Sequence, residues 1–463
     1  MSGQEGVALT RRELLLKAGA AAGGVAALGV LPSGAAAEAG ARDAFTGTLH
    51  VLGIGTGEFD QIGQQAEKDL GFKVAFDITG GDALVHRAIT QPASFDVLAY
   101  FYFAYDLILP HGALQPVDTR RITRWRQVNS LFKYGKVRPG DPRCTYGQGD
   151  APFRCMYVDD SGRYPVSPDV LPGVKTIVQW IDERSGKPYR GLPEPLYVAA
   201  VPGYFNMDSI GYNARVIQRP PERVSWAELF NPRWKGRVAL FGGAQVGLID
   251  AGNAAEAAGL MRFRDKGDMS RGEIDGLVKI LVRLKKRGHF HGFWNELEPQ
   301  KALDFMLSQD VVVESMWTYH VVALQAKGFP VRYAAPPEGF RGWAGGFAIS
   351  SAIKDPARLQ AAYDYINWWH AGYAGAVMMR LGYYNAVQAT SRRFVDPAEW
   401  DYWIEGKPAA KNLPGAFGDV TIRKGQVRDG GSFVRRACNY ASWNSIFREH
   451  VYQEKRWHDF WTA

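Results

Sequence analysis

From residue 47 onward, β-type runs alternate with helix-type stretches, and this alternation constrains the fold more than any other feature. Residues 47–52 form a strand-like run, the segment Gly53-Ile54-Gly55-Thr56-Gly57-Glu58 breaks it, and a helix-like stretch continues to Leu70. Residues 73–77 read as a second strand, 82–89 as a helix and 95–100 as a third strand. Such alternation predicts an α/β protein with a parallel sheet. Ligands of open α/β sheets bind beyond the carboxyl ends of the strands, which directs attention to residues 53–59 and 100–103. The rhythm degrades between about 118 and 196, where Pro, Gly, Arg and Asp dominate, so 119–195 reads as an insertion in one lobe. It resumes with strands at 237–241, 310–317 and 343–350 and helices at 271–287, 357–370 and 374–381. Ser225, with Glu228 three residues on, reads as a helix N-cap signal. With 463 residues, the chain exceeds the roughly 250–300 residues one core usually serves.

The first 39 residues read as an export signal. Thr10-Arg11-Arg12 opens a charged region, residues 18–31 are Ala/Gly-rich and apolar, and Ala35-Ala36-Ala37 offers a small-residue cleavage site. Paired arginines after a threonine match the twin-arginine export pattern. The mature chain is therefore expected in the periplasm, with no stable membrane insertion. The leader holds three basic and three acidic residues, so the net charge of +8 is unchanged by its removal. The basic residues are scattered and form no block or motif, which argues against nucleic acid as a partner.

Three cysteines remain. Cys144 and Cys155 bracket a Gly/Pro-rich loop, and in an oxidising compartment a Cys144–Cys155 disulfide is the expectation; Cys438 reads as a buried structural residue. Gly53-x-Gly55-x-Gly57 has its third glycine misplaced for a dinucleotide loop, and no phosphate-binding lysine follows. His289 and His291 lack flanking ligands for a metal. Tyr383 and Tyr384 offer phenolates for ferric iron but have no evident companion. No nucleophile with an adjacent base occurs in a known motif, so no catalytic residue, cofactor or metal site is assigned. Large aromatics do recur at predicted strand ends: Phe101, Phe103, Phe205, Trp317 and Trp343. Stacked rings suit a flat or cationic organic ligand.

Ser225-Trp226-Ala227-Glu228-Leu229-Phe230-Asn231-Pro232-Arg233-Trp234-Lys235-Gly236 resembles the S-W-x-x-L-(W/F)-x-P-x-(Y/W)-K-G stretch of periplasmic solute-binding proteins of ABC importers, in the spermidine/putrescine-binding group. Leu70–Val74, Phe95–Val97 with Gly112–Asp118, Ser209–Asn213, Val313–Trp317, Trp343–Ile349 and Gly382–Asn385 fall in the same order. The resemblance covers about 47–118 and 200–450. It implies a two-lobed periplasmic binding protein fold, the lobes joined by crossing strands, with 40–205 and 345–390 in lobe 1 and 206–344 and 391–463 in lobe 2. It further implies a monomer that captures a small solute by hinge closure and delivers it to importer membrane subunits. Carried over by position, the pocket would use Thr56, Glu58, Phe59, Phe101, Phe103, Phe205, Asp208, Gln245, Trp317 and Trp343. Polyamine binders anchor ammonium groups with acids; here the matching positions are Gly345 and the carboxylate-free stretch Gly242–Gly247. A buried ammonium without a partner charge costs several kcal/mol, so the expected ligand is first a single amine or quaternary ammonium held by rings and Asp208, and next a neutral or anionic small organic molecule. The alternatives are a metal carrier using Tyr383 and Tyr384, and an exported enzyme with Glu58 or Asp208 as base.

Overall fold

The computed structural model describes residues 45–158, 178–295 and 298–463; the segment 1–39 expected to be an export signal lies outside the described residues. The alternating segments near the start form β1 (Thr48–Gly53), α1 (Asp60–Leu70), β2 (Lys73–Ile78), α2 (Gly81–Thr90) and β3 (Val97–Phe101). β1 pairs in parallel with both β2 and β3, as the alternation predicts. A second parallel group follows the long strand β4 (Val201–Asn213). It comprises β5 (Val238–Phe241), α3 (Ala244–Ala257), α4 (Arg271–Lys286), β6 (Phe290–Trp294), α5 (Pro299–Leu307), β7 (Val313–Met316) and α6 (Thr318–Ala326). α4 starts on a reciprocal cap, Ser270 with Glu273, which satisfies amides that the first turn leaves open.

Two strands join the groups. β4 and β8 (Phe340–Ser350) are buried along their whole lengths. They pair with each other antiparallel; β8 also pairs with β3, and β4 with β7. One curled sheet results, in the order β6-β5-β7-β4-β8-β3-β1-β2. A strand buried on both faces needs an unbroken apolar or internally paired sequence, and this is where the buried polar residues Asn206, Asp208 and Arg341 sit. One core gathers residues of β1, β3 and β8 with α7 (Pro356–His370) and α8 (Tyr373–Arg380). Another gathers Trp226, Leu248, Leu277 and Val313 with Trp457 and Phe460 of the C-terminal helix α9 (His450–Thr462). Lobe 1 and lobe 2 are the elements around the first and the second core, so Trp343, which packs in the first, counts with lobe 1. Among the described residues no helix is long and apolar enough to cross a membrane.

The cysteine expectation is corrected by the structure. The disulfide joins Cys144 to Cys438, not to Cys155. Cys155 ends the short helix Pro152–Cys155 and is buried, its Sγ over the carbonyls of Ala151 and Pro152 at 3.6 and 3.7 Å. Cys144 begins a strap that runs beside β9 (Tyr440–Trp443). Thr145 N donates to the Cys438 carbonyl (2.8 Å), and Trp443 N donates to the Gln148 carbonyl (2.6 Å). The strap then meets lobe 2, where Lys266 N donates to Gln148 Oε1 at 3.1 Å. A Cβ on Gly267 would lie 2.1 Å from Gly149 Cα, so this contact needs a glycine.

The Ser225 expectation holds in part. Ser225 Oγ accepts from Ala227 N. Glu228 does not close the reciprocal cap; it accepts from Trp234 Nε1 and Asn231 Nδ2 and pairs with Arg219. The segment is accordingly a tight turn over Trp226–Phe230.

Candidate functional site

β4 alternates its side chains between two faces of the sheet. Tyr204, Asn206 and Asp208 share one face with Trp343 and Arg341 of β8, which stand opposite Asn206 and Asp208 in the antiparallel register. Phe205 faces the other way, packed on Phe132, Tyr384 and Phe433 with ring centroids 5.3 to 5.9 Å apart.

Two ring clusters lie at the strand ends on the Tyr204 side. In lobe 1, Phe101 stacks on Phe103 at 5.4 Å, and Trp343 meets Phe101 edge-on at 5.3 Å and Tyr383 at 5.2 Å. In lobe 2, Trp317 follows β7 directly and touches Phe241 (5.3 Å), Trp294 (5.0 Å) and Tyr319 (5.9 Å), with His320 stacked on it at 5.6 Å. Phe241 and Trp294 end β5 and β6, so three parallel strands deliver their last residues to one cluster. Tyr319, on the first turn of α6, packs against the lobe 1 core. Phe101, Trp317 and Tyr319 are half-buried, unlike the buried rings behind them.

Between the clusters lies Asp208, 1% exposed. Its Oδ2 accepts from Trp343 Nε1 at 2.6 Å. Its Oδ1 is approached by Thr318 N (3.2 Å), Thr318 Oγ1 (3.2 Å), Tyr333 OH (3.1 Å) and Asn206 Nδ2 (3.3 Å). Arg341 Nη2 stands 4.0 Å away and Arg341 Nε donates to Asp250 Oδ1 at 2.6 Å. Burial raises the Asp208 carboxyl above the ordinary range; the Arg341 charge, then the Trp343, Thr318 and Tyr333 hydrogen bonds, pull it back. The residue ties β4 and β8 to the start of α6 through both carboxylate oxygens. It is a joint between lobes, its acceptor sites already occupied.

Comparison with known proteins agrees with this geometry. Residues 168–391 match the family model of the bacterial extracellular solute-binding protein. This stretch, just under half of the chain, is what is similar to that family. The fold of the chain is shared with three solved structures. The spermidine/putrescine ABC transporter substrate-binding protein PotD of Streptococcus pneumoniae is 12% identical, with 90% of this chain and 98% of that one covered and a TM-score of 0.54. An ABC transporter substrate-binding protein of Bradyrhizobium japonicum is 14% identical, with 90% and 99% covered and a TM-score of 0.53. The Tp0655 (TpPotD) lipoprotein of Treponema pallidum is 11% identical, with 90% and 98% covered and a TM-score of 0.51.

Within the solute-binding fold, the ten residues singled out from sequence fall into distinct settings. Phe101, Phe103 and Trp343 form the lobe 1 cluster, and Trp317 stands at the centre of the lobe 2 cluster. Phe59 meets Phe417 edge-on at 5.7 Å. Thr56 is buried in the turn after β1. Glu58 folds back on that turn: its Oε2 accepts from Gly57 N at 3.2 Å, and its carboxyl carbon fills the space where a Gly53 Cβ would stand. Gln245 is half-buried in the first turn of α3. Phe205 lies in the core on the opposite face. Gly345 has no room for a side chain, because a Cβ there would sit 2.5 Å from the Tyr204 ring. Tyr383 and Tyr384 join different clusters, the first on Trp343 and the second on Phe205, so their rings do not converge. His289 is buried with Nε2 on the Leu229 carbonyl at 2.9 Å, bracing the Trp226 turn.

Sequence reasoning did not single out Tyr204, Phe241, Trp294, Tyr319 or Arg341. Phe241 and Trp294 carried a usable signal, since both end predicted or alternating strands as Trp317 does. Tyr204 was one residue from the choice of Phe205, and only the strand's face, set by tertiary pairing, separates them. Arg341 gave no local signal.

Proposed function

We propose that the protein is the substrate-binding component of an ABC importer and holds a small organic solute between the Phe101–Trp343 rings of lobe 1 and the Trp317–Tyr319 rings of lobe 2. The observation that carries this reading is the pair of half-buried ring clusters on either side of the β4–β8 crossing. A solute touching both clusters stabilises the closed arrangement by the difference in its contacts between open and closed forms.

The state of Asp208 sharpens the solute class. Its oxygens already serve Trp343, Thr318, Tyr333 and Asn206, so it is not an anchor for a primary ammonium. A quaternary ammonium needs no hydrogen-bond acceptor and gains about 0.5–2 kcal/mol over an aromatic face. A quaternary or similarly hindered amine therefore suits these rings better than a polyamine. The test is a thermal-shift panel on refolded mature protein, with putrescine, spermidine, betaine-type amines, amino acids and carboxylates, followed by calorimetry. A ligand at 100 times its Kd stabilises by about 2.7 kcal/mol. Trp317→Ala is expected to weaken the responding solute by about tenfold or more, near 1.4 kcal/mol, with the protein still folded. Unchanged affinity removes Trp317 from the site, and a polyamine response removes the quaternary preference.

The location proposed is the periplasm, reached by the twin-arginine route; Arg11 and Arg12 and the apolar stretch after them support it. Replacing both arginines by lysine is expected to leave the precursor in the cytoplasm, read by fractionation. Normal processing of that variant would rule the route out.

A further inference from the structure

Away from the ring clusters, α4 and α9 pack side by side and leave a groove of about 480 Å³ between them. Lys279, Arg283, Lys286 and Arg287 line it from the α4 side and Arg456 from α9, with Val278 and Val282 among the lining residues. The α4 cations are exposed, and among the described residues none of the four makes an ion pair or a side-chain hydrogen bond. The acids beside the groove are committed to Arg456, which leaves the α4 cations as the open charges. Asp275 accepts from Arg456 Nε and Tyr452 OH, both at 2.7 Å, and Asp459 pairs with Arg456. The groove itself is held rigid, because Lys285 Nζ donates to the Phe460 carbonyl at 3.1 Å and fastens the end of α9 to α4.

A helix end favours cations, which accounts for those in the last turn of α4. It does not account for Lys279, two turns earlier. Like charges three and four residues apart on a helix repel by a few tenths of a kcal/mol per pair, and Lys279, Arg283 and Arg287 follow that spacing. The cluster is thus mildly unfavourable in the isolated protein and gains from an anionic partner.

We infer that this groove docks an acidic stretch of a partner polypeptide, with carboxylates on the α4 cations and an apolar side chain against Val282. Charge complementarity selects an acidic occupant, and guanidinium groups recognise carboxylates in a bidentate geometry. Concavity selects a chain over a bilayer, whose flat surface cannot enter a space between two packed helices.

The experiment uses the full mature protein and a fluorescent glutamate-rich peptide with one central leucine. Binding is read by anisotropy at low salt and at about 0.5 M salt, where screening shortens to a few ångströms. The expected result is saturable binding that Arg283→Glu with Lys286→Glu weakens by about tenfold or more. A control of equal charge change elsewhere, Lys327→Glu with Lys354→Glu, is expected to leave binding near the parent value. Circular dichroism confirms that both variants fold. Absence of saturable binding overturns the inference, as does equal weakening by both variants, which would mean diffuse attraction to net charge. Binding to phosphatidylglycerol vesicles through the same cations, without peptide binding, also overturns it and assigns the groove to a membrane surface. Solute binding in the ring clusters is independent of every one of these outcomes.

Discussion

Asp208 and Glu314 are both buried carboxyl groups within one sheet, and their surroundings are opposite. Asp208, on β4, is met by Trp343, Thr318, Tyr333 and Asn206, with Arg341 nearby. Glu314, on β7 beside Gly211 of β4 and Ala239 of β5, is 0% exposed, and neither of its oxygens has a hydrogen-bond partner among the described residues. Burial pushes the Glu314 carboxyl well above its usual range, and nothing pulls it back. An unpaired buried charge is so costly that the group neutralises instead. Depth alone therefore does not assign a charge state. Asp208 is built into a joint between lobes; Glu314 is a neutral acid within one lobe.

The largest test of this contrast is Asp208→Ala. It leaves the Trp343 N–H, the Thr318 N–H and part of the Arg341 charge buried without an acceptor, and breaking a buried pair from one side costs about 3–5 kcal/mol. Urea denaturation measures it. A loss below about 1 kcal/mol, the worth of an exposed pair, would show that the network is not a joint. Glu314→Met is expected to act in the opposite direction. It keeps the side-chain volume and removes an unpartnered polar group, so stability at pH 7 should rise by about 1–3 kcal/mol. Destabilisation of that size would mean that Glu314 is held by a partner and that the contrast is false.

The legible part of this molecule follows the range of each physical cause. Strands β1 to β3 and helices α1, α2, α4 and α7 lie where sequence places them, because period-two and period-3.6 patterns are local. The motif around Trp226 carried the resemblance because its tight turn, with Ser225 as cap and Trp234 bonded to Glu228, is built from neighbouring residues. Trp317, Trp343, Phe101 and Phe103 could be picked out as strand-end aromatics. Pairings across the fold were not legible. Cys144 finds Cys438 at a separation of 294 residues, whereas sequence proximity favoured Cys155. The placing of Phe205 on the face away from the rings was not legible for a related reason: which face of β4 lies toward the rings is set by its pairing with β8. Asp208 was visible as an acid near the crossing, but its saturation depends on Thr318, Tyr333 and Trp343, all more than 100 residues away.

The smallest effect gives the sharpest test, because it isolates one proton. The folded-state pKa of Glu314 is raised, so below the unfolded value near 4.5 both states carry the proton and no penalty arises. As pH rises past that value the unfolded chain ionises while the folded protein keeps its proton. Folding stability then falls with pH, at a limiting slope of about 1.4 kcal/mol per pH unit for one group, until the folded pKa is passed. Other raised acids, Asp208 and Asp250 among them, add slopes of the same sign to the parent protein. Subtracting the curve of Glu314→Met removes those shared terms. The difference between the two stability curves is expected to widen steadily above about pH 5, in favour of the variant. A difference that stays flat with pH would mean that Glu314 titrates alike in both states, and so meets water or a cation in the folded protein. The same measurement on Asp208→Asn supplies the other half of the contrast. The amide cannot ionise, so with the folded pKa of Asp208 raised the loss of stability is expected to be largest at acid pH and to shrink as pH rises past the unfolded value; a loss that instead grows with pH would mean that the joint stabilises the charged carboxylate.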